Sequence, residues 1–261
     1  MAVPNSGGNY EKVLPKKGIH LARLFAIIDT GTQKSSFNGK EKLRRIIIMR
    51  FELPGSLHEF DKDKGPEPLA VNVKETFSSA EKSNLYKFFK AWSNSKITAK
   101  RFGEKDFSIT KYIGKSAELT LKIQTSESGD DYVKIIDVTK DDENQCGDPI
   151  NKPYVFMLHD LLGYKDEELK EPLGKEEKKE ALKRATNALA RMSKYNRELI
   201  FGSIEVKEHE LELSDFNFDE ERPKAKAAPK KVVEEDDDEE EVPKVKKKPK
   251  VTEDFTDEDA F

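Results

Sequence analysis

Thr76 to Trp92, TFSSAEKSNLYKFFKAW, carries the strongest local pattern in the chain. Ser78 followed by Glu81 has the spacing of a capping box and predicts a helix start. Leu85, Phe88, Phe89 and Trp92 follow at i, i+3, i+4 and i+7, so they share one helix face. The helix is expected to run to about Ser93. That spacing assigns Phe88, Phe89 and Trp92 to packing rather than to an open stacking surface.

Strand patterns lie on both sides of this helix. Before it, Leu69, Val71, Val73 and Phe77 alternate with Ala70, Asn72, Lys74 and Thr76, a period of two that turns Lys74 outward. Further back, Lys42 to Leu53, KLRRIIIMRFEL, reads as a second strand. Arg44 and Arg50 share a parity there and Arg45 has the other. Such residues are either a solvated edge with charged gatekeepers or phosphate contacts along a groove. Gly18 to Asp29, GIHLARLFAIID, reads as the first strand. It is apolar on both parities, which fits a coiled barrel strand and a buried strand alike. Between these two, residues 31–40 read as a loop carrying Lys34, Phe37 and Lys40, with a turn at Asn38-Gly39.

After the helix, Ser95 to Lys105 is a basic connector and Asp106 to Gly114 a short docking turn. Ala117 to Gln124 is a strand with Lys122 outward, and Asp131 to Thr139 is the fifth, with Tyr132 and Lys134 on one parity. Tyr132 is ordinary sheet surface or a stacking platform. Three strands, one helix and two strands make the order of an OB-fold, a five-stranded barrel with its helix between strands 3 and 4. The fold class expected is mainly β, with a helical extension and a charged tail added.

The domain boundaries follow from composition. Residues 1–16 are polar and Gly-rich and read as a loose arm; residues 17–140 are the barrel. Residues 141–218 form a helical and strand extension. Within it, Lys175 to about Tyr195 is a helix with Leu182, Ala185, Leu189 and Met192 on one face, and Glu205 to Leu213 alternates. Packing on the barrel and self-association both stay open for this part. Residues 219–261 contain EEDDDEEE at 234–241, a Lys-rich block, and the ending TEDFTDEDAF. Like-charge blocks with so little apolar surface cannot offset chain entropy, so disorder is expected. Phe255 and Phe261 stand among Asp254, Asp257, Glu258 and Asp259, a pattern suited to anchoring in a basic-rimmed pocket of a partner.

Charge divides the chain. Residues 1–140 hold 25 Lys+Arg and 17 Asp+Glu, a net of +8, and the remainder hold 22 and 34, a net of −12. Charged residues are 38% of the whole, against a usual share of about 25%. A basic body joined to an acidic tail suggests a polyanion ligand. The one cysteine, Cys146, rules out an intrachain disulfide framework and a thiolate metal cluster. No apolar run is long enough for a membrane span, and MAVPNSGGNYEK lacks the apolar core of a signal peptide. An intracellular, soluble protein is expected. His20, His58, His159 and His209 are isolated, and no phosphate loop, HExxH or GxSxG occurs. No catalysis, cofactor or metal is expected.

The stretch TFSSAEKSNLYKFFKAW, the Phe107 segment, Ile113-Gly114-Lys115, LTLKI at 119–123 and YVKIIDV at 132–138 resemble a family of phage and prophage OB-fold single-stranded DNA-binding proteins. HLARLFAIIDTGTQ at 20–33 and FELP at 51–54 match its opening, and the likeness covers roughly residues 12–140. The tail is similar to the acidic, Phe-ended tails of such proteins. The resemblance implies sequence-independent binding of single-stranded DNA in phage replication, recombination and repair, in the cytoplasm of an infected bacterium. It implies a tail that recruits a polymerase, helicase or primase and competes with DNA for the basic groove. A homo-oligomer stays open. The expected phosphate contacts are Lys34, Lys40, Arg44, Arg50, Lys74 and Lys134, and the expected stacking residues Phe37, Tyr112 and Tyr132. Two rival readings remain: an acidic-tailed interaction or chaperone-like factor, and an RNA-binding or strand-annealing protein of the same fold.

Overall fold

The computed structural model describes residues 13–216, apart from residues 38, 61, 64, 105, 106, 142–145, 148 and 167. The expected disordered tail lies outside the described residues. Among the described residues six strands form one sheet: β1 (Gly18–Phe37), β2 (Lys40–His58), β3 (Glu67–Thr76), β4 (Ser116–Thr125), β5 (Asp131–Lys140) and β6 (Tyr154–Phe156). Their order is β3-β2-β1-β4-β5, antiparallel throughout, and β6 joins β1 in parallel. Strand β1 serves two neighbours on one side by bending at a register shift between Leu24 and Ala26. Residues 18–23 pair with β4 and residues 26–28 with β6.

The helix within residues 76–92 is α1 (Asn84–Trp92). Its cap is Ser83, which accepts from the Tyr86 amide at 3.1 Å. Ser78, the expected cap, instead accepts from the Ala80 amide and takes the Ser83 hydroxyl on its carbonyl, forming the lead-in turn. Leu85, Phe89 and Trp92 are buried as their spacing requires, and Tyr86 joins them. The Trp92 indole N–H donates to the Ser116 carbonyl at 2.8 Å, tying the helix to β4.

This helix packs against β3 and β5, the two edges of the sheet. No hydrogen-bonded pairing between β3 and β5 is present among the described residues, so the sheet is open and α1 occupies the gap. The first core lies there: Leu24, Ile27, Ile47, Met49, Phe51, Val71, Val73, Leu119, Leu121 and Val138 close on Leu85, Phe89 and Trp92. Each such side chain, fully buried, contributes about 1.5–3 kcal/mol. Val13 also packs on this core and Pro15 is buried, so the end of the expected loose arm is held.

A second core covers the other face. Phe25, Ala26, Ile28 and Ile48 meet Tyr154, Phe156, Leu158, Leu161, Ala185, Leu189, Ile200 and Val206. The elements that bring them are β6, α3 (Leu158–Leu162), α4 (Lys175–Ala190), α5 (Lys194–Phe201) and α6 (Ile204–Glu208). Apolarity on both parities of β1 therefore reflects two cores on one strand. Two expectations are corrected here. Leu182 is 40% exposed, and α4 instead buries the small stripe Ala181, Ala185 and Ala188 with Leu189. The alternating stretch from Glu205 is helical at its start, because Val206 is buried by a short helix rather than a strand.

Segment 146–151 is stapled to the sheet by a buried ion pair. Arg23 and Glu52 are 3.3 Å apart, both buried, on neighbouring strands. Arg23 also donates to the Gly147 carbonyl. Glu52 accepts from the backbone amides of Ile150 (3.3 Å) and Asn151 (2.7 Å) and from the Asn151 side chain (2.9 Å). The Cys146 thiol donates to the Ala22 carbonyl, and burial pushes its pKa up.

Candidate nucleic-acid interface

The expected loop at 31–40 is a strand extension. Beyond Thr32 and Arg45, β1 and β2 continue as a two-stranded ribbon: Gln33↔Arg44, Lys34↔Leu43, Ser35↔Lys42, Ser36↔Glu41 and Phe37↔Lys40. Strand β3 reaches only to Thr76 opposite Ile46, and β6 only to Ile28, so among the described residues the ribbon pairs with nothing else. Residues 34–36 and 39–44 are exposed. A polar sequence forms strand here because the hairpin closes at Gly39, whose φ of +72° suits the turn.

Pleating puts Lys40, Lys42 and Arg44 on one face of the ribbon, about 6.6 Å apart. That interval is comparable with the phosphate repeat of an extended single strand. Lys34 is on the other face beside exposed Leu43 and meets Glu41 at 3.3 Å. Both partners of that pair are largely in water, so it contributes little. Phe37 holds its register place opposite Lys40; its side chain lies outside what is described.

The remaining candidates fall elsewhere. Lys74 is exposed on β3 opposite Ile48. Arg50 faces the same way but is half-buried: it donates to Asn72 at 3.2 Å and to the Tyr154 hydroxyl at 3.4 Å, and lies over the Phe25 ring at 5.1 Å. Its partners make it a link between β3 and the second core. Tyr112 is packed at 4.7 Å from Phe89 and 4.8 Å from Trp92, with the Lys115 ammonium 4.7 Å from its ring centre. Burial pushes its phenol pKa up. The geometry gives Tyr112 to the aromatic core.

Tyr132 and Lys134 lie at the opposite end of β1 from the ribbon. The Tyr132 hydroxyl donates to Gln124 at 3.0 Å, which holds the ring on the sheet surface. Lys134 stands directly across from Lys122. Like charges at opposed positions repel, and neither lysine has an ion-pair partner among the described residues. Lys122 and Lys42 join the expected contacts: strand parity turns Lys122 outward and sets Lys42 beside Arg44, and the pairing register places them opposite Lys134 and Ser35. Gly18 pairs with Leu121 and Gln33 with Arg44, so about 50 Å of strand separates the two basic patches if β1 were straight. The helical block covers the part of β1 between them. Asp254, Phe255, Asp257, Glu258, Asp259 and Phe261 lie outside the described residues.

A cavity of about 380 Å³ lies on the helical block, lined by His159, Asp160, Tyr164, Lys165, Leu173, Glu177, Glu180 and Arg184. Asp160 accepts from Arg184 at 2.7 Å, and His159 Nδ1 is buried with no hydrogen-bond partner among the described residues. No cluster of three or more His, Cys, Asp or Glu able to hold a metal occurs among the described residues. No helix of the described residues is long and apolar enough to cross a membrane.

No protein-family model matches the chain, and no curated protein matches its sequence.

Proposed function

We propose that the chain binds single-stranded DNA without reading sequence, with the β1–β2 ribbon as its principal contact. One observation carries the reading: Lys40, Lys42 and Arg44 stand at alternate positions on one exposed face of a ribbon that no core occupies. A row of cations at that interval suits a flexible phosphate backbone and is indifferent to base identity. Lys74 extends this surface, Phe37 stands in register opposite Lys40, Lys34 adds a cation on the ribbon's other face, and Lys122, Tyr132 and Lys134 form a second contact point. Arg50 and Tyr112 support it from within.

The strand order β3-β2-β1-β4-β5, with α1 inserted between β3 and β4, supports an OB-type module opened at its β3–β5 seam. The family resemblance of residues 12–140 points to phage DNA replication, recombination or repair. In this reading the acidic, Phe-ended tail recruits replication proteins and competes with DNA for the basic surface. No catalytic step is assigned.

The test is a titration of the full chain with labelled oligo-dT, oligo-U and duplex of equal length, over a range of salt. Oligo-dT should bind at least about tenfold tighter than duplex, and its affinity should fall steeply with salt. Equal affinity for duplex and single strand overturns the reading. Tighter binding of oligo-U moves it to RNA.

A further inference from the structure

We propose that the C-terminal helical block is a bracket that aims the β1–β2 ribbon, and that Glu205 and Thr32 are positioning residues for the nucleic-acid interface. The proposal rests on the reading of the ribbon as a strand-binding element. A two-stranded ribbon has little stability of its own in water, so its direction must be fixed at its base.

The base is gripped from two sides. On one, the buried Asp29 carboxylate accepts from Arg45 Nε at 3.1 Å, from the Gly31 amide at 3.1 Å and from the Leu158 amide at 3.3 Å. Arg45 is the register partner of Thr32, the residue at which the ribbon begins. On the other side, Glu205 of α6 uses both carboxylate oxygens on Thr32: it accepts from the Thr32 amide at 2.8 Å and from its hydroxyl at 2.6 Å. Next along the strand, the Gln33 amide group donates to the Leu199 carbonyl of α5 at 2.9 Å. Asp29, Thr32 and Gln33 thus bond to α3, α6 and α5, respectively.

Gly31 makes this approach feasible. It lies in the register shift between Asp29 and Thr32, with φ +71°. A Cβ there would come within 2.7 Å of Ser203 Cβ, 2.8 Å of Leu158 Cδ2 and 2.9 Å of Glu205 Oε2. The helices therefore touch the strand at van der Waals limit, at the register shift from which the ribbon starts. Asp29, Arg45 and Glu205 are all at the junction, and none of them lies on the exposed cationic face.

Long-range electrostatics and the bracket make opposite demands on Glu205. Its negative charge opposes a polyanion, so charge alone says that removing it tightens binding. The bracket says that removing it loosens the ribbon and weakens binding. The test compares Glu205→Ala, Glu205→Gln and Thr32→Val in the full chain. It reads hydrogen exchange of the ribbon amides in the free protein, and affinity and salt slope for labelled oligo-dT.

In Glu205→Ala, ribbon amides should exchange about tenfold faster or more while those of β3, β4 and β5 keep their protection. Oligo-dT affinity should fall about tenfold and the salt slope by about 2, since each disengaged ribbon cation forfeits about 0.7 counterion. Glu205→Gln keeps one acceptor for Thr32 and should lose less than about threefold. Thr32→Val, which removes only the hydroxyl, should lie between. Equal or tighter binding by both Glu205 variants overturns the proposal, and so does unchanged ribbon exchange in Glu205→Ala. Should Glu205→Ala unfold, Thr32→Val decides by the same two readouts. If wild type fails to prefer oligo-dT over duplex, the reading of function falls, while the exchange data still decide the bracket.

Discussion

Along β1 and β2 the inner residues, 22–28 and 47–53, lie between two cores, whereas the outer residues, 32–37 and 40–45, run on with none. Both halves carry arginines, and the two sets do different things. Arg23 is buried and bonded to Glu52 and Gly147. Arg45, at the boundary, is tied to buried Asp29 and lies 5.6 Å from the Phe77 ring centre. Arg44, one residue away, is exposed. A guanidinium inside the sheet holds the fold, since its desolvation must be matched by a partner. The same group on the ribbon remains hydrated and available to a phosphate.

If the comparison is right, inner and outer charge removals separate into two phenotypes. The largest effect belongs to Glu52→Ala, which leaves Arg23 buried without its carboxylate and frees segment 146–151. A loss of about 3–5 kcal/mol is expected in denaturant unfolding. A loss below about 1 kcal/mol would show that water reaches Arg23 and that the inner half is not dry. Next, the triple variant Lys40→Ala, Lys42→Ala, Arg44→Ala should lower oligo-dT affinity by tens-fold and the salt slope by about 2. Its melting temperature should stay within a few degrees, because exposed substitutions change stability by about 0.5 kcal/mol or less each. A large melting shift without an affinity change would erase the distinction between the halves.

Arg50→Ala sharpens the boundary. It removes the bonds to Asn72 and Tyr154 and the contact with Phe25, so about 1–2 kcal/mol of stability should go. Its effect on oligo-dT affinity should be less than about a third of that of Arg44→Ala, measured in the same titration.

The smallest effect is one of pH. Burial raises the Glu75 carboxyl above its ordinary 4.5, partly offset by a hydrogen bond from Asn84. A raised folded pKa means that the folded state holds the proton more tightly. Its stabilising contribution is full below 4.5 and is lost as pH rises through the folded value. Glu75→Gln should therefore melt about 1–3 °C higher at pH 7, with the gain shrinking as pH falls toward 4.5. A gain that does not change with pH would assign it to packing.

Much of the first core was legible in the residues. The alternation of 69–77 and 117–124 and the i, i+3, i+4, i+7 stripe of 85–92 mark surfaces facing one apolar layer, and period alone locates them. In β5 a register shift puts Val133 and Ile135 on one parity and Val138 on the other, which period does not show. The ribbon was not legible. Its residues alternate polar with polar because neither face meets a core, so GTQKSSF gives no strand signal although it is strand. Ser83 displaced Ser78 as the cap because Ser78 is occupied in the turn before it, which spacing cannot reveal. Of the candidate contacts, Lys34, Phe37, Lys40 and Arg44 come together on the ribbon. Tyr112 reads like them in sequence but is drawn into the aromatic cluster by Phe89 and Trp92.

By itself the sequence determined the strands and the helix that plug the first core, the basic character of residues 1–140, and the absence of a disulfide framework. These follow from local period and from composition. Tertiary structure alone decided that residues 154–206 cover the back of the sheet, that Arg23 answers Glu52, that Lys122 faces Lys134, and that Glu205 reaches Thr32. Those are pairings between residues 12 to 173 positions apart. They are fixed by register and by desolvation, neither of which leaves a mark on a single segment.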